Sequence, residues 1–312
     1  MNETRRAILE ALSDGPVSGP ELAESLDVSR AAVWKQIDGL RDAGFEIESG
    51  PTGYELVAVE AYTGPTVEFG LEAPFSVDYH ETIGSTNDRA RELAADGAAD
   101  VAVLADEQTG SRGRLDREWS SPPGGVWVSV VSRPTITPAQ APLYTLAAAV
   151  AIAQAAREAG VDARIKWPND VVVPVGDDGD YRKLAGILTE MEGETDRVDW
   201  IVPGIGINAN VDADALPEGA TSIRDEVGDV DRRRFVQRLL EEFDDYRSDL
   251  ETVVPAWRDL ALTLGQRVRV DRPAGEVVGE AVDITNSGAL VIETDDGRQT
   301  VSAGDCEHLR PV

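Results

Sequence analysis

The chain of 312 residues contains only one cysteine and two histidines. Cys306 alone cannot form an internal disulfide, which fits a protein of the reducing cytosol. His80 and His308 lie far apart in the sequence, so neither a histidine-based catalytic triad nor a histidine–cysteine metal site is indicated. We expect Cys306 to be a packed residue rather than a nucleophile.

The chain is also poor in positive charge. It has 29 Lys and Arg against 58 Asp and Glu, which gives a formal net charge of −29 and a pI of about 4.3. Such a charge excludes a general affinity for nucleic acids or anionic membranes. Acidic residues spread over all segments are typical of proteins adapted to a salt-rich cytoplasm, where screening within ~3 Å at molar ionic strength makes self-repulsion tolerable.

Long apolar runs are lacking as well. No segment approaches the ~20 apolar residues of a membrane span, and the charged N-terminus does not resemble a signal peptide. We therefore expect a soluble, cytoplasmic protein with no membrane contact. Hydrophobic residues make up 42% of the chain, which favours a folded protein with a sizeable core.

The N-terminal segment shows helical periodicity and then strand alternation. Two short helices joined by Leu26-Asp-Val28, with Ser29 as the N-cap of the second, indicate a helix-turn-helix. Alternation from Phe45 to Leu56 around a Gly-Pro turn predicts the hairpin of a winged helix, which we assign to residues 1–62. The outward candidates for DNA contact on the second helix are Arg30, Lys35, Gln36 and Arg41.

The charge of this segment leaves an alternative open. Residues 1–60 carry five basic and twelve acidic side chains, so DNA binding would require that salt screen the long-range repulsion. A few short-range basic contacts would then position the helix on the duplex. The alternative is a plain docking or dimerising module.

Two further domains are predicted. Residues 66–262 mix strands and helices too irregularly for βαβ repeats, which favours a mixed sheet with flanking helices. Residues 265–312 alternate through short strands separated by turns at Asn286-Ser-Gly288 and Asp295-Asp-Gly297, which suggests a small β-barrel. The predicted fold class is α+β.

Positive charge is concentrated in one part of this acidic chain. Arg112, Arg114 and Arg117 lie among glycines between Gln108 and Trp119, and Lys166-Trp-Pro-Asn-Asp170 follows downstream. Cations gathered near glycines suit a polyanionic ligand held partly by backbone N–H groups. The sequence therefore predicts a phosphate-handling site, with a solvated basic loop as the alternative.

Five motifs carry a resemblance to a known family. They are Ser85-Thr-Asn87, Gln108 through Trp119, Lys166-Trp-Pro-Asn-Asp170, Lys183-Leu-Ala-Gly-Ile-Leu-Thr-Glu190 and Gly204-Ile-Gly-Ile-Asn208. In this order they resemble the biotin protein ligase family, in its long form with an N-terminal winged helix. The resemblance implies a class II synthetase-like catalytic domain of helices on a mixed sheet and a C-terminal SH3-like barrel. It also implies two steps: biotin and ATP give biotinyl-5′-adenylate, and the biotinyl group then passes to a lysine of a biotin carboxyl carrier protein.

The resemblance also implies site residues. Arg114 and Lys183 would be catalytic, since each would offset negative charge during adenylation. The implied biotin-binding residues are Ser85, Thr86, Asn87, Gln108, Arg112, Gly113, Arg114, Lys183 and Gly186. The implied ATP- and adenylate-binding residues are Arg112, Arg114, Trp119, Lys166, Asp170 and Asn208. Mg²⁺ would be held through Asp170 and Asn208.

Each of these residues has a plainer interpretation. Ser85 or Thr86 could only cap the helix that follows, and Trp119 and Trp167 could be core aromatics. The run Gly204-Ile-Gly-Ile-Asn208 lacks the third glycine of a dinucleotide fingerprint and could be a tight strand end. The motifs taken together in order favour function.

The sequence departs from the family pattern in three places. Ser111 stands where the family has glycine, and it requires a negative φ or a strained backbone. Asp116 and Glu118 replace small or basic residues at the rim of the loop. The insert at 174–181 is interpreted as a longer hairpin turn, whose aspartates could bind a cation or face solvent.

Three functions remain open from the sequence. The first is a biotin ligase, which could also repress biotin genes by binding operator DNA when loaded with adenylate, either as a monomer or as a homodimer. The second is a transcription regulator whose ligase-like part only senses ligand. The third is an acyl attachment enzyme of the lipoate type, which Lys166-Trp-Pro-Asn-Asp170 disfavours.

Overall fold

The computed structural model describes residues 1–176, 180–272 and 275–309, apart from the side chain of Asp116. Asp177 and Asp178 of the predicted insert lie outside the described residues. By contacts the chain divides into two compact units, Met1–Glu72 and Ala73–Val312.

The first unit is a helix-turn-helix with a hairpin, as the sequence predicts. Its elements are α1 (Glu3–Ser13), α2 (Gly19–Ser25), α3 (Arg30–Asp42), β1 (Phe45–Gly50), β2 (Gly53–Val59) and α4 (Gly64–Glu68). Ser18 and Ser29 cap α2 and α3 by accepting the backbone N–H groups of Glu21 and Ala32. β1 and β2 pair in antiparallel fashion and form the predicted wing.

The core of this unit comes from the apolar positions of its helical periodicity. The fully buried side chains include Ile8, Leu9, Leu22, Val33, Ile37 and Leu40. The unit extends past residue 62, the predicted boundary, because Thr66 is buried and Phe69 packs edge-on against Phe45 with ring centroids 5.6 Å apart. The terminal amine of Met1 also forms an ion pair with Glu68.

Two of the four predicted DNA contacts are used inside this unit. Arg41 donates from Nε to the carbonyl of Ile47 (2.9 Å) and from Nη2 to Ser49 Oγ (2.9 Å), which ties α3 to the wing. Gln36 accepts from Arg5 Nε at 3.0 Å, which ties α3 to α1. Arg30 and Lys35 are exposed, as predicted.

The second unit contains a seven-stranded mixed sheet and a five-stranded antiparallel sheet. The helices are α5 (Thr86–Ala95), α6 (Pro142–Glu158), α7 (Ile223–Val227), α8 (Arg232–Ser248) and α9 (Val253–Leu260). The strands of the larger sheet are β3 (Ser76–Ile83), β4 (Val101–Gln108), β5 (Val126–Val131), β6 (Arg164–Lys166), β7 (Asp170–Val175), β8 (Asp180–Gly193) and β9 (Val198–Ile207). Their order is β3-β4-β5-β9-β8-β7-β6, in which β3 and β4 are parallel and the other pairs antiparallel. The predicted mixed sheet with flanking helices is confirmed.

The smaller sheet follows at the C-terminus. It consists of β10 (Arg267–Asp271), β11 (Val277–Ile284), β12 (Leu290–Thr294), β13 (Gly297–Val301) and β14 (Asp305–His308), in the order β13-β12-β11-β10-β14. This arrangement agrees with the expected SH3-like domain. The division of the second unit at residues 262–265 stays a prediction.

Within the described residues, one helical segment is long and apolar enough to span a membrane, which the sequence analysis did not identify. It is Pro138–Glu158, and 72% of its most apolar window is buried within the fold. The segment includes α6, whose alanines 147, 148, 149, 151 and 153 are fully buried. Burial of this kind identifies α6 as the core helix of the second unit.

The wing turn offers a test of the first unit. Gly53 has φ +126°, and a Cβ atom there would lie 2.2 Å from the carbonyl oxygen of Val17, whereas a Cβ atom at Gly50 meets nothing within 4 Å. Gly53→Ala should therefore destabilise the first unit by more than ~1 kcal/mol, while Gly50→Ala should not. Hydrogen exchange of the β1 and β2 amides in the full chain measures the difference. Equal protection in the two variants would contradict this account of the turn.

Candidate active site

A cavity of about 560 Å³ opens over the larger sheet of the second unit. The start of α5, the end of β4, the loop 110–119 and strands β7, β8 and β9 contribute to its wall. It is lined by every residue predicted from the motifs for biotin or ATP except one. The lining residues from that set are Ser85, Thr86, Asn87, Gln108, Arg112, Gly113, Arg114, Trp119, Lys166, Asp170, Lys183 and Gly186.

One end of the cavity carries polar groups that are already oriented. Ser85 is the N-cap of α5, as its plainer interpretation had it, and it also lines the cavity. Thr86 donates to Gln108 Oε1 from its backbone nitrogen (2.8 Å) and from Oγ1 (3.0 Å). Gln108 in turn donates from Nε2 to Ser121 Oγ at 3.0 Å. These bonds hold the carboxamide of Gln108 in one orientation beside the cavity.

Asn87 ties this polar end to the sheet. Its Nδ2 donates to the carbonyl of Leu188 (3.2 Å) and to Glu190 Oε2 (2.9 Å), and its Oδ1 lies 2.5 Å from Ser129 Oγ. A Cβ atom at Gly204 would lie 1.8 Å from Asn87 Oδ1. Gly204 lies inside β9 rather than at a strand end, and it is required there because the Asn87 side chain occupies the space above it.

A cluster of opposite charges lies further along the cavity. Lys183 Nζ is 2.7 Å from Asp170 Oδ1, and Lys166 Nζ is 3.9 Å from Asp170 Oδ2. Lys166 and Asp170 are brought together by the antiparallel pairing of β6 with β7, and Lys183 comes from β8. Two ammonium groups share one carboxylate, so this cluster carries a net positive charge. Such a cluster suits an anionic ligand.

The indole ring of Trp119 packs directly against the backbone of two glycines, Gly186 and Gly206. A Cβ atom at Gly206 would lie 2.7 Å from Trp119 Nε1, and one at Gly186 would lie 3.0 Å from Trp119 Cζ3. Lys183 Nζ stands 4.9 Å from the centre of the same ring. Trp119 is thus a wall of the cavity. Trp167 is the core aromatic of the pair, since it is 1% exposed and donates from Nε1 to the carbonyl of Gly288.

The loop 110–119 presents three arginines with different partners. Arg112 donates to Asp88 Oδ1 at 2.8 Å, and Arg117 forms an ion pair with Asp305. Arg114 instead donates to Asn169 Oδ1 (2.9 Å) and to the carbonyl oxygen of Gly304 (2.9 Å), which are both uncharged. Arg114 is therefore held by two uncharged oxygens of the protein while it lines the cavity.

The backbone of this loop decides between the two alternatives expected for Ser111. Ser111 is not among the residues with positive φ, and its Oγ donates to the carbonyl of Trp119 at 2.6 Å. The left-handed residue is Leu115, with φ 57°, and its side chain is 74% exposed. The serine therefore needs no strained conformation, and the unusual turn lies four residues further on. Asp116, whose side chain lies outside the described part, adjoins it.

Asn208 is the predicted residue that the structure does not bring into the cavity. It is 3% exposed, and its Nδ2 donates to the carbonyl of Thr221 at 3.0 Å. Its amide is used to hold the segment that follows β9. The proposed ligand pair of Asp170 and Asn208 is consequently not assembled, and no cluster of three or more His, Cys, Asp or Glu suited to a metal occurs among the described residues.

Sequence reasoning missed several residues of the cavity wall, among them Tyr181 and Cys306. Burial raises the pKa of Tyr181 to about 12 and that of Cys306 to about 11. Tyr181 packs edge-on against His308, with ring centroids 5.4 Å apart. No motif signals these contacts, because they depend on the placement of the C-terminal sheet. The high pKa of Cys306 agrees with the expectation that it is not a nucleophile.

Comparisons with known proteins agree with this arrangement. The model of the Biotin/lipoate A/B protein ligase family matches residues 79–208, that of the Biotin protein ligase C terminal domain matches residues 263–309, and an HTH domain model matches residues 4–55. The Bifunctional ligase/repressor BirA of Bacillus subtilis (strain 168) is 35% identical, over 97% of this chain and 98% of that protein. The protein of the same name from Escherichia coli (strain K12) is 30% identical, over 89% and 88% respectively.

A solved structure supports the same relationship. The biotin protein ligase from Aquifex aeolicus in complex with biotin and ATP aligns with a TM-score of 0.62 at 26% identity. The alignment covers 75% of this chain and 99% of that protein.

His308 provides a test of the C-terminal sheet by pH. Burial and then the nearby Lys166 lower its pKa from 6.5 to about 4. As pH falls, the imidazole of His308 is protonated in the unfolded chain at a higher pH than in the folded chain. The contribution of His308 to the free energy of unfolding is therefore complete above about pH 6.5 and is lost as pH drops toward 4. We expect His308→Gln to lose less stability than the wild type between pH 7 and pH 5, measured by urea unfolding. His80→Gln is the control, and equal pH dependence in His308→Gln and the wild type would contradict the burial argument.

Proposed function

This chain belongs to the biotin protein ligase family, in the form with an N-terminal helix-turn-helix domain, and we propose that its cavity forms biotinyl-5′-adenylate from biotin and ATP. The biotinyl group is then transferred to a lysine of a biotin carboxyl carrier protein. The observation that carries this proposal is the single cavity in which oriented polar groups at one end adjoin a net positive cluster at the other.

The polar end suits the ureido group of biotin. Thr86 and Gln108 are oriented by hydrogen bonds to each other before the ligand arrives, and Ser85 is oriented by accepting the backbone N–H of Asp88. A donor or acceptor that is held in place loses little conformational freedom on binding. We assign these three residues to the ureido group, and the Gly186 segment to close packing against the rest of the ligand.

The charged end suits the reacting groups. A biotin carboxylate oxygen attacks the α-phosphorus of ATP, the bond to the bridging oxygen breaks and pyrophosphate leaves, so negative charges must be brought together. Lys183 and Lys166 exceed Asp170 in charge, and they would offset that repulsion. In the second step the amine of the carrier lysine attacks the acyl carbon and AMP leaves.

Arg114 is the loop cation best suited to the phosphate. Arg112 and Arg117 pair with the carboxylates of Asp88 and Asp305, whereas both partners of Arg114 are uncharged oxygens. Its full positive charge is therefore available to a ligand. We assign Arg112 and Gly113 to the loop that covers the ligand, and Trp119 to the wall against which the adenine stacks.

The residues present do not fit a resident magnesium ion. Asp170 faces two lysines and Asn208 lies outside the cavity. Mg²⁺ is usually bound through one or two carboxylates together with the phosphates of the substrate. We therefore propose that Mg²⁺ enters as part of the ATP complex, and we assign no step of the reaction to it.

The adenylation proposal predicts the effect of two substitutions. Arg114→Ala and Lys183→Ala should each lower the rate of biotin-dependent pyrophosphate exchange into ATP by on the order of 10²-fold or more, since each offsets charge that grows in the transition state. The measurement is made in high salt, where the acidic chain is screened. Arg197→Ala is the control, because this exposed arginine pairs with Glu194 and Asp199 away from the cavity.

If both variants exchange pyrophosphate at the wild-type rate, the catalytic role assigned to Arg114 and Lys183 is wrong. Lipoate in place of biotin separates the substrate classes, since a dithiolane cannot accept the second Nε2 hydrogen of Gln108, which its bond to Ser121 does not use, and an unpaired buried donor costs ~1–3 kcal/mol. Comparable exchange with lipoate would favour the lipoate-type enzyme. Loss of exchange with retained biotin binding in the wild type would favour a pure sensor.

Repression of transcription is the second part of the proposed function. The first unit has the helix-turn-helix that DNA-binding domains use, with Arg30 and Lys35 exposed on α3. The relatives from Bacillus subtilis and Escherichia coli are named bifunctional ligase/repressor. We propose that the adenylate-loaded protein binds operator DNA near biotin-related genes as a homodimer.

The acidity of the chain predicts an unusual salt dependence for this binding. An ordinary basic protein with 6–10 phosphate contacts loses about 10³–10⁵ in affinity between about 50 and 200 mM salt. Here salt screens repulsion, so we expect operator affinity to persist or rise toward molar salt. Electrophoretic or fluorescence titration of adenylate-loaded protein measures it. A steep loss with salt would reject the screening argument, and no binding at any salt would leave the domain as a docking module.

A further inference from the structure

The recognition helix carries an exposed tryptophan that its own domain does not use. Trp34 lies in the second turn of α3, and 59% of its surface is exposed. The other large apolar side chains of α3, Val33, Ile37 and Leu40, are fully buried in the domain core. A single exposed apolar side chain is common on protein surfaces, so exposure alone identifies no site, and the charges around Trp34 are what make its position on the outward side of this helix informative.

The exposed basic residues of α3 lie near Trp34 in the first half of the helix, and the acidic residues lie in its second half. The exposed side chains of the first two turns of α3 are Arg30, Ala31, Trp34 and Lys35, which include two cations and no acid. The acids of α3, Asp38 and Asp42, lie in its second half. In a unit with an excess of acidic residues, this is the surface that suits an anionic partner.

The remaining parts of the domain offer such a partner little. Arg41 and Gln36 are held by the wing and by Arg5. The wing itself exposes Glu46, Glu48 and Glu55, so it repels a phosphate backbone. The cationic contacts on the described surface of α3 thus reduce to Arg30 and Lys35, and an apolar contact must supplement them.

We propose that Trp34 is a DNA contact of this domain and packs against thymine methyl groups in the major groove. Helices of this kind read base edges with the residues of their first turns, and apolar side chains recognise the C5-methyl group of thymine. Arg30 lies one turn before Trp34 on the same side of the helix and Lys35 lies next to it, so they would flank the indole with phosphate contacts. An apolar contact does not weaken with salt, which suits an acidic protein. The proposal rests on the proposed binding of operator DNA.

The first test compares substitutions at Trp34 in the full, adenylate-loaded chain. Trp34→Ala should lower operator affinity at least about tenfold at high salt, and Trp34→Phe should retain most of it. Val57→Ala is the matched control, because Val57 is a second exposed apolar residue of the same unit, 52% exposed on the wing. Biotin-dependent pyrophosphate exchange and the melting temperature should be unchanged in all three variants.

The second test removes the methyl group rather than the tryptophan. Replacing single thymines of the operator by uracil should lower wild-type affinity roughly fourfold at the contacted positions. The same replacements should have no effect on Trp34→Ala, because the contact is already lost. This coupling is measured on DNA, so it stays informative even if Trp34→Ala is less stable.

The outcomes separate this inference from the proposed function. If the wild type binds no operator, the repressor function fails and this inference with it. If the wild type binds and Trp34→Ala binds equally well, or if uracil substitution has no effect at any position, the repressor stands and the role of Trp34 is rejected. If Trp34→Ala only converts a dimer into monomers in sedimentation, the surface serves a second copy and the inference is overturned.

Discussion

The contact between the start of α5 and strand β9 is the constraint on which the cavity depends. The Asn87 side chain fills the space above Gly204 and bonds to the backbone of β8 and to Glu190. This packing holds Ser85 and Thr86 at the edge of the sheet, where Thr86 meets Gln108 at the end of β4. Any side chain at position 204 would push α5 away and separate the polar end of the site from its charged end.

The second organising feature is the distribution of counter-charges in an acidic chain. Most arginines of the described regions are paired with carboxylates, including Arg112 and Arg117 on either side of Arg114. Selectivity for an anion then depends on which cations escape this pairing. Arg114 does so by bonding to neutral oxygens, and the Lys166–Lys183 pair does so by outnumbering its single carboxylate. Because acidic residues neutralise most other cations, the unneutralised positive charge is concentrated at the cavity.

The parts of the molecule that could be predicted from sequence are those set by local chemistry. Ser29 and Ser85 cap helices because their side chains serve the backbone three residues on, and the mixed sheet follows from strand patterns. The motif residues converge because they lie at the ends of neighbouring elements. The contacts that could not be predicted have partners brought near by the tertiary fold: Arg114 bonds to Gly304, Asn208 bonds to Thr221 and Tyr181 packs on His308. The internal contacts of Arg41 and Gln36 could not be predicted for a related reason, since an outward position on a helix does not reveal which neighbours reach it.

The left-handed residue at the tip of the ligand loop connects the backbone of the loop to the C-terminal sheet. Leu115 adopts φ 57° without the freedom of glycine, which costs about 1–2 kcal/mol, and it is held between the anchors of Arg114 and Arg117 on the C-terminal sheet. Contacts at both ends keep this turn in its conformation, so the shape of the ligand loop depends on the position of the C-terminal sheet. A change in that sheet would therefore alter the wall of the cavity through the backbone of this one residue.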